Sequence, residues 1–301
     1  MLTAILAVTL VVSDLEIASA AYQNHLDYRL VERGEITPKL AQSWGAPQAA
    51  DSPYVILQPA SGADTYLRLI ERPATPGYQV MRSHGWNSNE ILVEDPVALR
   101  ERFESQAAPF KIIGEPKPLA SSPSVIAMQA IGPAGELNYF TRIPPAGGTF
   151  IKTPAQSFVD RTFIVVLGGP SMPALQQFYR DLGAPVTDSY LSPVSVLQDA
   201  YGLPSDYQPR LALVNFSPGF LIELDEYPPA ATPRPARPDD LPPSMAMVTF
   251  CADFSAAPPG RELPWRIAPT ARDGKVYQGR RAGMLVGAAN EWIELVDCTD
   301  K

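Results

Sequence analysis

The stretch from Arg161 to Tyr179, RTFIVVLGGPSMPALQQFY, decides how the chain folds. An apolar run meets a Gly-Gly-Pro turn, Ser171 follows, and a helical pattern ends in two aromatic residues. The same order opens the chain, where an apolar run precedes Asp14 and LEIASAAY ends at Tyr22, 157 residues before Tyr179. Similarity at a fixed offset predicts a duplicated architecture, so the remaining sequence is interpreted against this repeat.

Each half of the duplication contains two copies of a β-α-β-β-β pattern. Short apolar runs such as Thr3–Val12 and Trp86–Val93 predict buried strands, and Asp14 and Asp95 are suited to cap the helices that follow. The predicted fold class is α+β, with four βαβββ modules at residues 1–73, 81–145, 158–228 and 244–301.

The predicted domains follow the order of these modules along the chain. We expect consecutive modules to pair, which gives a first domain over residues 1–145 and a second over residues 158–301. A proline-rich segment at residues 228–243 joins the last two modules.

Composition restricts the partners. The net charge is −8, from 24 basic and 32 acidic residues, and no basic block is present, which argues against nucleic acid and anionic membranes. The apolar N-terminus resembles a secretion signal, but the same text recurs at Phe163, so we interpret it as a strand. No apolar run approaches the ~20 residues that span a bilayer. We expect a cytoplasmic monomer or homodimer that binds a small molecule.

Cys251 and Cys298 are the only cysteines. Two cysteines cannot form a CxxC-type zinc set. Two states remain open: a pair of buried free thiols, which is the simpler interpretation, or a single bridge between two strand-like segments of the last quarter.

Four motifs carry a resemblance to a known family. They are VVSDLEIASAAYQNHL, LGGPSMPALQQFYRDLG, FLIELDEYP and NEWIELVD, and together with their spacing they cover nearly the whole chain. This pattern resembles the vicinal oxygen chelate superfamily, which includes glyoxalase I, extradiol dioxygenases and bleomycin-resistance proteins. The resemblance implies two glyoxalase-like domains with curved, partly closed sheets, each surrounding a cavity.

The resemblance also implies where metal ligands would lie. The family places His or Gln on the first strand, seven residues before the helix cap, and Glu on the last strand. Those positions here are Ala7, Ser88, Ile164 and Ala246 on first strands, and Arg68, Tyr139, Glu223 and Glu294 on last strands. Because an iron facial triad needs two histidines and a carboxylate, we expect no metal cofactor of the usual kind.

The first predicted cavity has an unusually polar lining. Strand alternation places Tyr66, Glu90, Thr9 and Thr141 on the same faces as these positions. One hypothesis is that Arg68 binds a substrate carboxylate or phenolate while Tyr139 or Glu90 transfers a proton. The alternative is that Arg68 and Glu90 pair with each other. The predicted catalytic residues are Tyr139, Glu90 and Arg68, and the predicted ligand-binding residues are Tyr66, Ser88, Trp86, Thr9, Thr141, Glu223, Glu294 and Trp292.

The second predicted cavity brings Glu223 and Glu294 face to face, with Asp225 and Trp292 nearby. Close carboxylates raise each other's pKa, so one would serve as an acid and the other as a base. The alternative is that one or both lie at a strand margin in solvent. Two insertions between strands, which end at Trp44 and Tyr201, are suited either to cover a ligand or to anchor on the core.

Three functions are consistent with these patterns. The favoured one is a metal-independent enzyme of lyase, isomerase or hydrolase type, acting by acid–base chemistry on an aromatic or carboxylated metabolite. The first alternative is a non-catalytic protein that binds a small, antibiotic-like molecule. The second alternative is an enzyme that uses a divalent metal held by Glu223 and Glu294.

Overall fold

The computed structural model describes residues 2–119, 122–145, 151, 153–256 and 263–299. Module 1 comprises β1 (Leu2–Val12), α1 (Leu15–Leu26), β2 (Arg29–Glu35), α2 (Pro38–Trp44), β3 (Pro53–Gln58) and β4 (Tyr66–Glu71). Module 2 comprises β5 (Gly85–Val93), α3 (Pro96–Ser105), β6 (Lys111–Leu119), β7 (Ser122–Ile131) and β8 (Leu137–Arg142).

Modules 3 and 4 follow the same plan with one exception. Module 3 comprises β9 (Val159–Gly169), α4 (Met172–Asp181), β10 (Tyr190–Leu191), α5 (Ser195–Tyr201), β11 (Arg210–Ser217) and β12 (Phe220–Glu226). Module 4 comprises β13 (Ser244–Ala252), β14 (Ile267–Ala271), β15 (Arg281–Val286) and β16 (Trp292–Asp297). Within its described residues, module 4 replaces the helix with a 3-10 turn at Phe254–Ala256.

The predicted caps begin the main helices. The side chain of Asp14 accepts a hydrogen bond from the Ile17 amide at 2.9 Å, and Asp95 accepts from the Val97 amide at 2.8 Å. Each cap satisfies an amide that the first turn of a helix leaves without a partner. These caps fix the point at which each first strand leaves the sheet and its helix begins.

The strands form two eight-stranded mixed sheets, which confirms the α+β class and the paired βαβββ modules. The terminal sheet joins modules 1 and 4 in the order β14-β15-β16-β13-β1-β4-β3-β2. The central sheet joins modules 2 and 3 in the order β10-β11-β12-β9-β5-β8-β7-β6.

The predicted pairing of consecutive modules was therefore wrong. β1 is antiparallel to β13, with Val8 opposite Val248, and β5 is antiparallel to β9, with Asn89 opposite Val165. All four first strands are buried over most of their length. Their sequences are therefore compatible with more than one partner strand, and the repeat does not indicate which first strands pair. Each sheet draws on both of the predicted domains.

The largest apolar cluster fills the space on the helix side of both sheets. It includes Val8 and Val248 from the terminal sheet, and Ile91 and Val165 from the central sheet. Because side chains alternate along a strand, neighbours such as Ala7 and Glu90 point to the opposite, concave faces. The concave faces are where a ligand site is expected.

The repeat is closest in the two short helices α2 and α5. Both occupy the same seven positions at an offset of 157 residues, and both end at a glycine with positive φ, Gly45 at 75° and Gly202 at 62°. A left-handed residue at this point terminates a helix at little steric cost only when it is glycine. The two caps place Trp44 and Tyr201 at equivalent points beside the two sheets.

Cys251 and Cys298 form a disulfide, so the free-thiol interpretation was wrong. Cys251 lies on β13 opposite Val296 of the neighbouring strand β16, and Cys298 follows two residues later. The two Cα atoms are 5.5 Å apart, a separation typical of disulfides. The sequence could not reveal this proximity, because it depends on which strands are neighbours.

None of the helices in the described part of the chain is long and apolar enough to cross a membrane.

Candidate functional site

The two sheets present equivalent sets of four positions on their concave faces. In the terminal sheet, Thr249 is opposite Ala7 across the module boundary and beside Glu294. In the central sheet, Glu90 is opposite Ile164 and beside Tyr139. The full sets are Ala7, Arg68, Thr249 and Glu294 in the terminal sheet, and Ile164, Glu223, Glu90 and Tyr139 in the central sheet.

This register corrects two of the positions that the resemblance indicated. Counting seven residues back from the helix cap selected Ser88 and Ala246, but the facing positions are Glu90 and Thr249. The β1–β13 and β5–β9 pairings both contain register shifts. Counting a fixed number of residues back from the helix cap therefore does not always select a residue on the same face of the sheet. Ser88 still shares the concave face with Glu90, two residues away.

In the terminal sheet, the carboxylate of Glu294 is the centre of a fully buried polar network. Its Oε1 accepts hydrogen bonds from Trp44 Nε1 and from the Tyr277 hydroxyl, each at 2.8 Å, and from Arg272 Nη1. Its Oε2 accepts from the Thr249 hydroxyl at 2.6 Å. Trp44 therefore covers this site with a polar contact as well as with its ring.

A second guanidinium completes the network. Arg68 Nη1 lies 3.7 Å from Glu294 Oε2, and Arg68 Nη2 donates to the Tyr277 hydroxyl at 3.0 Å. Burial would raise the pKa of Glu294, but the charges of Arg272 and Arg68 hold it below its ordinary value. The carboxylate is thus ionised and fully coordinated by protein donors.

The family's metal set does not fit the terminal sheet. A divalent cation would have to displace the donors that already surround Glu294, and it would lie beside two guanidinium groups of the same sign. The alternative of a metal shared by Glu223 and Glu294 was also wrong, because Glu223 lies on β12 of the central sheet and Glu294 on β16 of the terminal sheet. The described residues contain no group of three or more His, Cys, Asp or Glu side chains placed to hold a metal.

The predicted pairing of Arg68 with Glu90 was wrong for the same topological reason. Arg68 lies in the terminal sheet, where Glu294 and Tyr277 occupy its guanidinium. The Thr9 hydroxyl accepts from Arg68 Nη1 at 3.4 Å, so Thr9 lies beside this network.

Three aromatic residues predicted to line the sites lie outside the two networks. The Tyr66 hydroxyl donates to Asp64 at 3.0 Å. The Trp86 indole is buried against Phe250 and donates from Nε1 to the Trp292 carbonyl at 2.8 Å, within the main core. A register shift between Trp86 and Ser88 removes Trp86 from the alternation that sequence spacing implies. The ring of Trp292 is covered by the Arg266 guanidinium at 4.4 Å.

In the central sheet, Glu90 is a buried carboxyl with one hydroxyl partner. The Thr141 hydroxyl donates to Glu90 Oε1 at 2.6 Å. Burial and the charge of Glu223 raise the pKa of Glu90 to about 8. At neutral pH this carboxyl exists in both protonation states, which suits a group that transfers protons.

Glu223 and Asp225 form a second acidic pair on the same face. They are two residues apart on β12 and share a hydrogen bond, and burial raises the pKa of Glu223 to about 7. The pKa of Asp225 is raised well above its ordinary value by burial and by the charge of Glu223. The pair therefore shares a proton at neutral pH.

Tyr139 lies in the same lateral row as Glu90 and Gln129. Burial, followed by the charges of Glu223, Asp225 and Glu90, raises the pKa of Tyr139 well above its ordinary value, so the phenol stays protonated. It is a hydrogen-bond donor surrounded by acids. Among the residues that the structure describes, no basic residue contributes a charge that shifts the pKa of Glu90, Glu223, Asp225 or Tyr139.

Several polar atoms around this face have no partner in the described part of the chain. The Ser88 Oγ, the Gln129 Oε1, the Asp225 Oδ1 and the Tyr201 hydroxyl are all buried without a hydrogen bond. Buried polar atoms without partners are costly, and they are uncommon away from functional sites. Tyr201 is the counterpart of Trp44 in the repeat. The indole Nε1 of Trp44 has a hydrogen-bond acceptor in the terminal sheet, the Glu294 carboxylate.

An apolar pocket adjoins the central site. Its volume is about 350 Å³, and Met81, Ile131 and Val196 contribute to its lining. The same three residues pack in one cluster with Tyr139 and Tyr227. An apolar body of a ligand would therefore lie next to the phenol of Tyr139.

Sequence reasoning missed part of both sites. Thr249, Arg272 and Tyr277 of the terminal network come from module 4, which the predicted pairing assigned to another cavity. Gln129 was missed because its place follows from its register with Tyr139. Asp225, by contrast, was expected near Glu223 from the sequence, because the two residues alternate on one strand face.

Two sheets built from paired βαβββ modules, each with a polar concave face, define the fold of the vicinal oxygen chelate superfamily. Glyoxalase I from Zea mays has this fold, with a TM-score of 0.63 and 16% identity over 99% of this chain and 93% of that chain. A putative dioxygenase from Bacillus subtilis subsp. subtilis str. 168 gives a TM-score of 0.55 and 9% identity over 98% of this chain and 85% of that chain. At these identities the likeness concerns the fold alone.

Neither a protein-family model nor a curated protein matches the sequence.

Proposed function

We propose that the chain is a small-molecule enzyme that carries out acid–base chemistry on the concave face of the central sheet. The observation that carries the proposal is the set of buried polar atoms on this face that have no hydrogen-bond partner among the described residues: the Ser88 Oγ, the Gln129 Oε1 and the Asp225 Oδ1. They lie beside Glu90, whose pKa is raised to about 8. A bound substrate would satisfy these atoms and place a proton within reach of Glu90.

The residues have distinct roles in this proposal. Glu90 accepts a proton from the substrate when ionised and returns it when protonated, and Thr141 orients its carboxyl. Tyr139, which remains protonated, donates a hydrogen bond to a substrate oxygen. The Glu223–Asp225 pair holds a second proton for a later step. These roles fit an isomerase- or lyase-type proton transfer.

The apolar pocket beside Tyr139 favours the aromatic substrate class over the carboxylated one. It offers about 350 Å³ for a ring. Within the described residues no basic side chain lowers the pKa of the four acid and phenol groups, so a substrate carboxylate placed against them would meet like charges. Arg82 also lines the pocket, and its guanidinium lies 4.8 Å from the centre of the Tyr201 ring. Arg68 does not serve as the predicted carboxylate clamp, since Glu294 and Tyr277 occupy it.

The test follows proton exchange directly. The protein is incubated in D2O with a panel of small aromatic carbonyl compounds, and deuterium uptake and product are followed by ¹H NMR. We expect Glu90→Gln and Tyr139→Phe to lower the rate by about 10²-fold or more. Glu101→Gln, at an exposed position on α3, is the matched control and should leave the rate unchanged. Equal rates for wild type and Glu90→Gln would overturn the proposal.

A binding protein for a cationic aromatic ligand is the second candidate. The observation that favours it is that no basic residue in the described part of the chain contributes a charge that shifts the pKa of Glu90, Glu223 or Asp225. Calorimetry with benzylamine and benzyl alcohol separates the candidates. A binding protein of this kind should bind benzylamine more tightly than benzyl alcohol and should form no product. The Glu223→Gln variant should lose the preference for the amine.

The expected cytoplasmic location and the expected monomer or homodimer stay predictions. The Cys251–Cys298 disulfide argues for an oxidising compartment instead, because the cytosol of most organisms keeps such thiols reduced. Alkylation of the protein in intact cells, followed by mass analysis, measures whether the two cysteines are bonded there. Light scattering after gel filtration measures the oligomeric state.

A further inference from the structure

We propose that a separate pocket beside the terminal sheet binds a small organic carboxylate, with Arg272 as its buried cationic contact. This site is independent of the acid–base chemistry proposed for the central sheet. The pocket has a volume of about 240 Å³ and lies between α2 and β14. The residues that define it here are Thr37, Lys39, Ser43, Tyr54, Thr270 and Arg272.

The first argument is the charge balance of the buried network below the pocket. Arg68, Arg272 and Glu294 are 2%, 5% and 0% exposed, so two guanidinium groups are buried with a single carboxylate. Tyr277, which bonds both Arg68 and Glu294, is a neutral phenol with a raised pKa. A buried positive charge without a counter-ion is costly, and an anion in the adjoining pocket would offset it.

The second argument is the hydrogen bonding of Arg272. Its Nη1 donates to Glu294 and its Nη2 donates to the Ser43 carbonyl at 2.8 Å, but its Nε is buried without a partner in the described residues. Guanidinium groups bind planar carboxylates through neighbouring N–H donors. Arg272 thus lines the pocket while one of its donors, the buried Nε, is still unsatisfied.

The other charged groups around the pocket do not cancel this arrangement. Glu35 and Asp273 line it but are exposed, so solvent and salt screen their charges. Glu32 is half-buried and does not line this pocket, and its carboxylate accepts from the Tyr54 hydroxyl at 2.5 Å and from the Lys275 amide at 2.6 Å. Lys39 adds an exposed cation at the pocket mouth.

Trp44 gives the site a built-in reporter. Its indole Nε1 shares Glu294 Oε1 with Arg272, and the preceding residue, Ser43, accepts a hydrogen bond from Arg272. An anion that binds Arg272 therefore changes the electrostatic field at the Trp44 ring.

The experiment titrates the wild-type protein with acetate, benzoate and inorganic phosphate at constant ionic strength, with potassium chloride as the blank. Tryptophan fluorescence and calorimetry are the measurements. We expect saturable binding of a carboxylate that Arg272→Lys weakens by about tenfold, since the planar fork is lost while the charge remains. Lys39→Ala should weaken it by a smaller factor.

Two controls separate this site from the central one. Lys111→Ala removes an exposed lysine from β6 of the central sheet and should leave affinity unchanged, and Glu90→Gln should also have no effect. Absence of saturable binding, or binding that Arg272→Lys does not weaken, would overturn the proposal, as would preference for phosphate alone. If Arg272→Lys does not fold, the double variant Lys39→Ala, Thr270→Val is tested instead. Carboxylate affinity equal to that of the wild type in this double variant would overturn the proposal.

Discussion

The hydroxyl of Tyr22, on α1 of module 1, donates a 2.7 Å hydrogen bond to Glu136 Oε1, in the turn before β8 of module 2. Tyr179 of module 3 donates in the same way to Glu291 of module 4, at 3.1 Å. Each bond connects a module of one sheet to a module of the other, and both are fully buried. These two bonds link modules that adjoin in sequence but lie in different sheets.

Removing one of these hydroxyls should destabilise the protein. Tyr22→Phe leaves the carboxyl of Glu136 buried without its hydroxyl donor, which costs about 1–3 kcal/mol. Chemical denaturation measures the free energy of unfolding. Tyr190→Phe, at a tyrosine that is 43% exposed, is the matched control and should cost much less. Equal effects of the two substitutions would show that the bond across the sheets contributes nothing.

Stability should fall as the pH rises from about 5 to 8. The pKa of Glu291 and that of Glu223 are raised to about 7, and the pKa of Glu90 to about 8, from an ordinary value of 4.5. Between these values the folded state holds protons that the unfolded state has released, so the free energy of unfolding decreases with pH. The lowered pKa of His84 acts in the opposite direction near pH 6, but it is one group against these three and against Asp225 and Glu136, whose pKa values are also raised.

Glu90→Gln isolates one contribution to this pH dependence. The amide cannot ionise, so the variant should gain stability relative to wild type as the pH rises from about 5 towards 8. Urea denaturation at several pH values measures this difference. A difference that does not change with pH would mean that Glu90 titrates normally, and the proton-transfer role proposed for it would then fail.

The modules and their boundaries could be predicted from the sequence, but their partners could not. The order of strand, cap and helix recurs along the chain, and Trp44 and Tyr201 occupy equivalent positions in this repeat. Such local patterns depend on residues that are close in sequence, so the sequence reveals them. Which first strands pair depends on the packing of whole modules. That choice placed Arg68 beside Glu294 rather than beside Glu90, so the grouping of these residues could not be predicted from the sequence.

The buried network around Glu294 should be sensitive to loss of its single carboxylate. Glu294→Gln leaves the guanidinium groups of Arg68 and Arg272 buried without a counter-charge, and breaking such a set costs about 3–5 kcal/mol. Denaturation curves measure the loss, with Glu101→Gln as the exposed control. A loss below about 1 kcal/mol would indicate that another anion neutralises the network, and added acetate should then restore little further stability.

The disulfide should contribute to stability through the unfolded chain. Cys251 and Cys298 are separated by 47 residues. In the chain-entropy model, a closed loop of this length lowers the conformational entropy of the unfolded chain and so stabilises the folded protein by about 4 kcal/mol. The variant in which both cysteines are serine should therefore unfold at a lower temperature than the oxidised protein. Wild type in the presence of a dithiol reductant should show the same decrease, and the reductant should have no effect on the variant.

Because the disulfide joins β13 and the end of β16, proteolysis of the reduced protein should begin in module 4. Cleavage that begins in the central sheet would indicate that the disulfide stabilises the whole chain rather than this module.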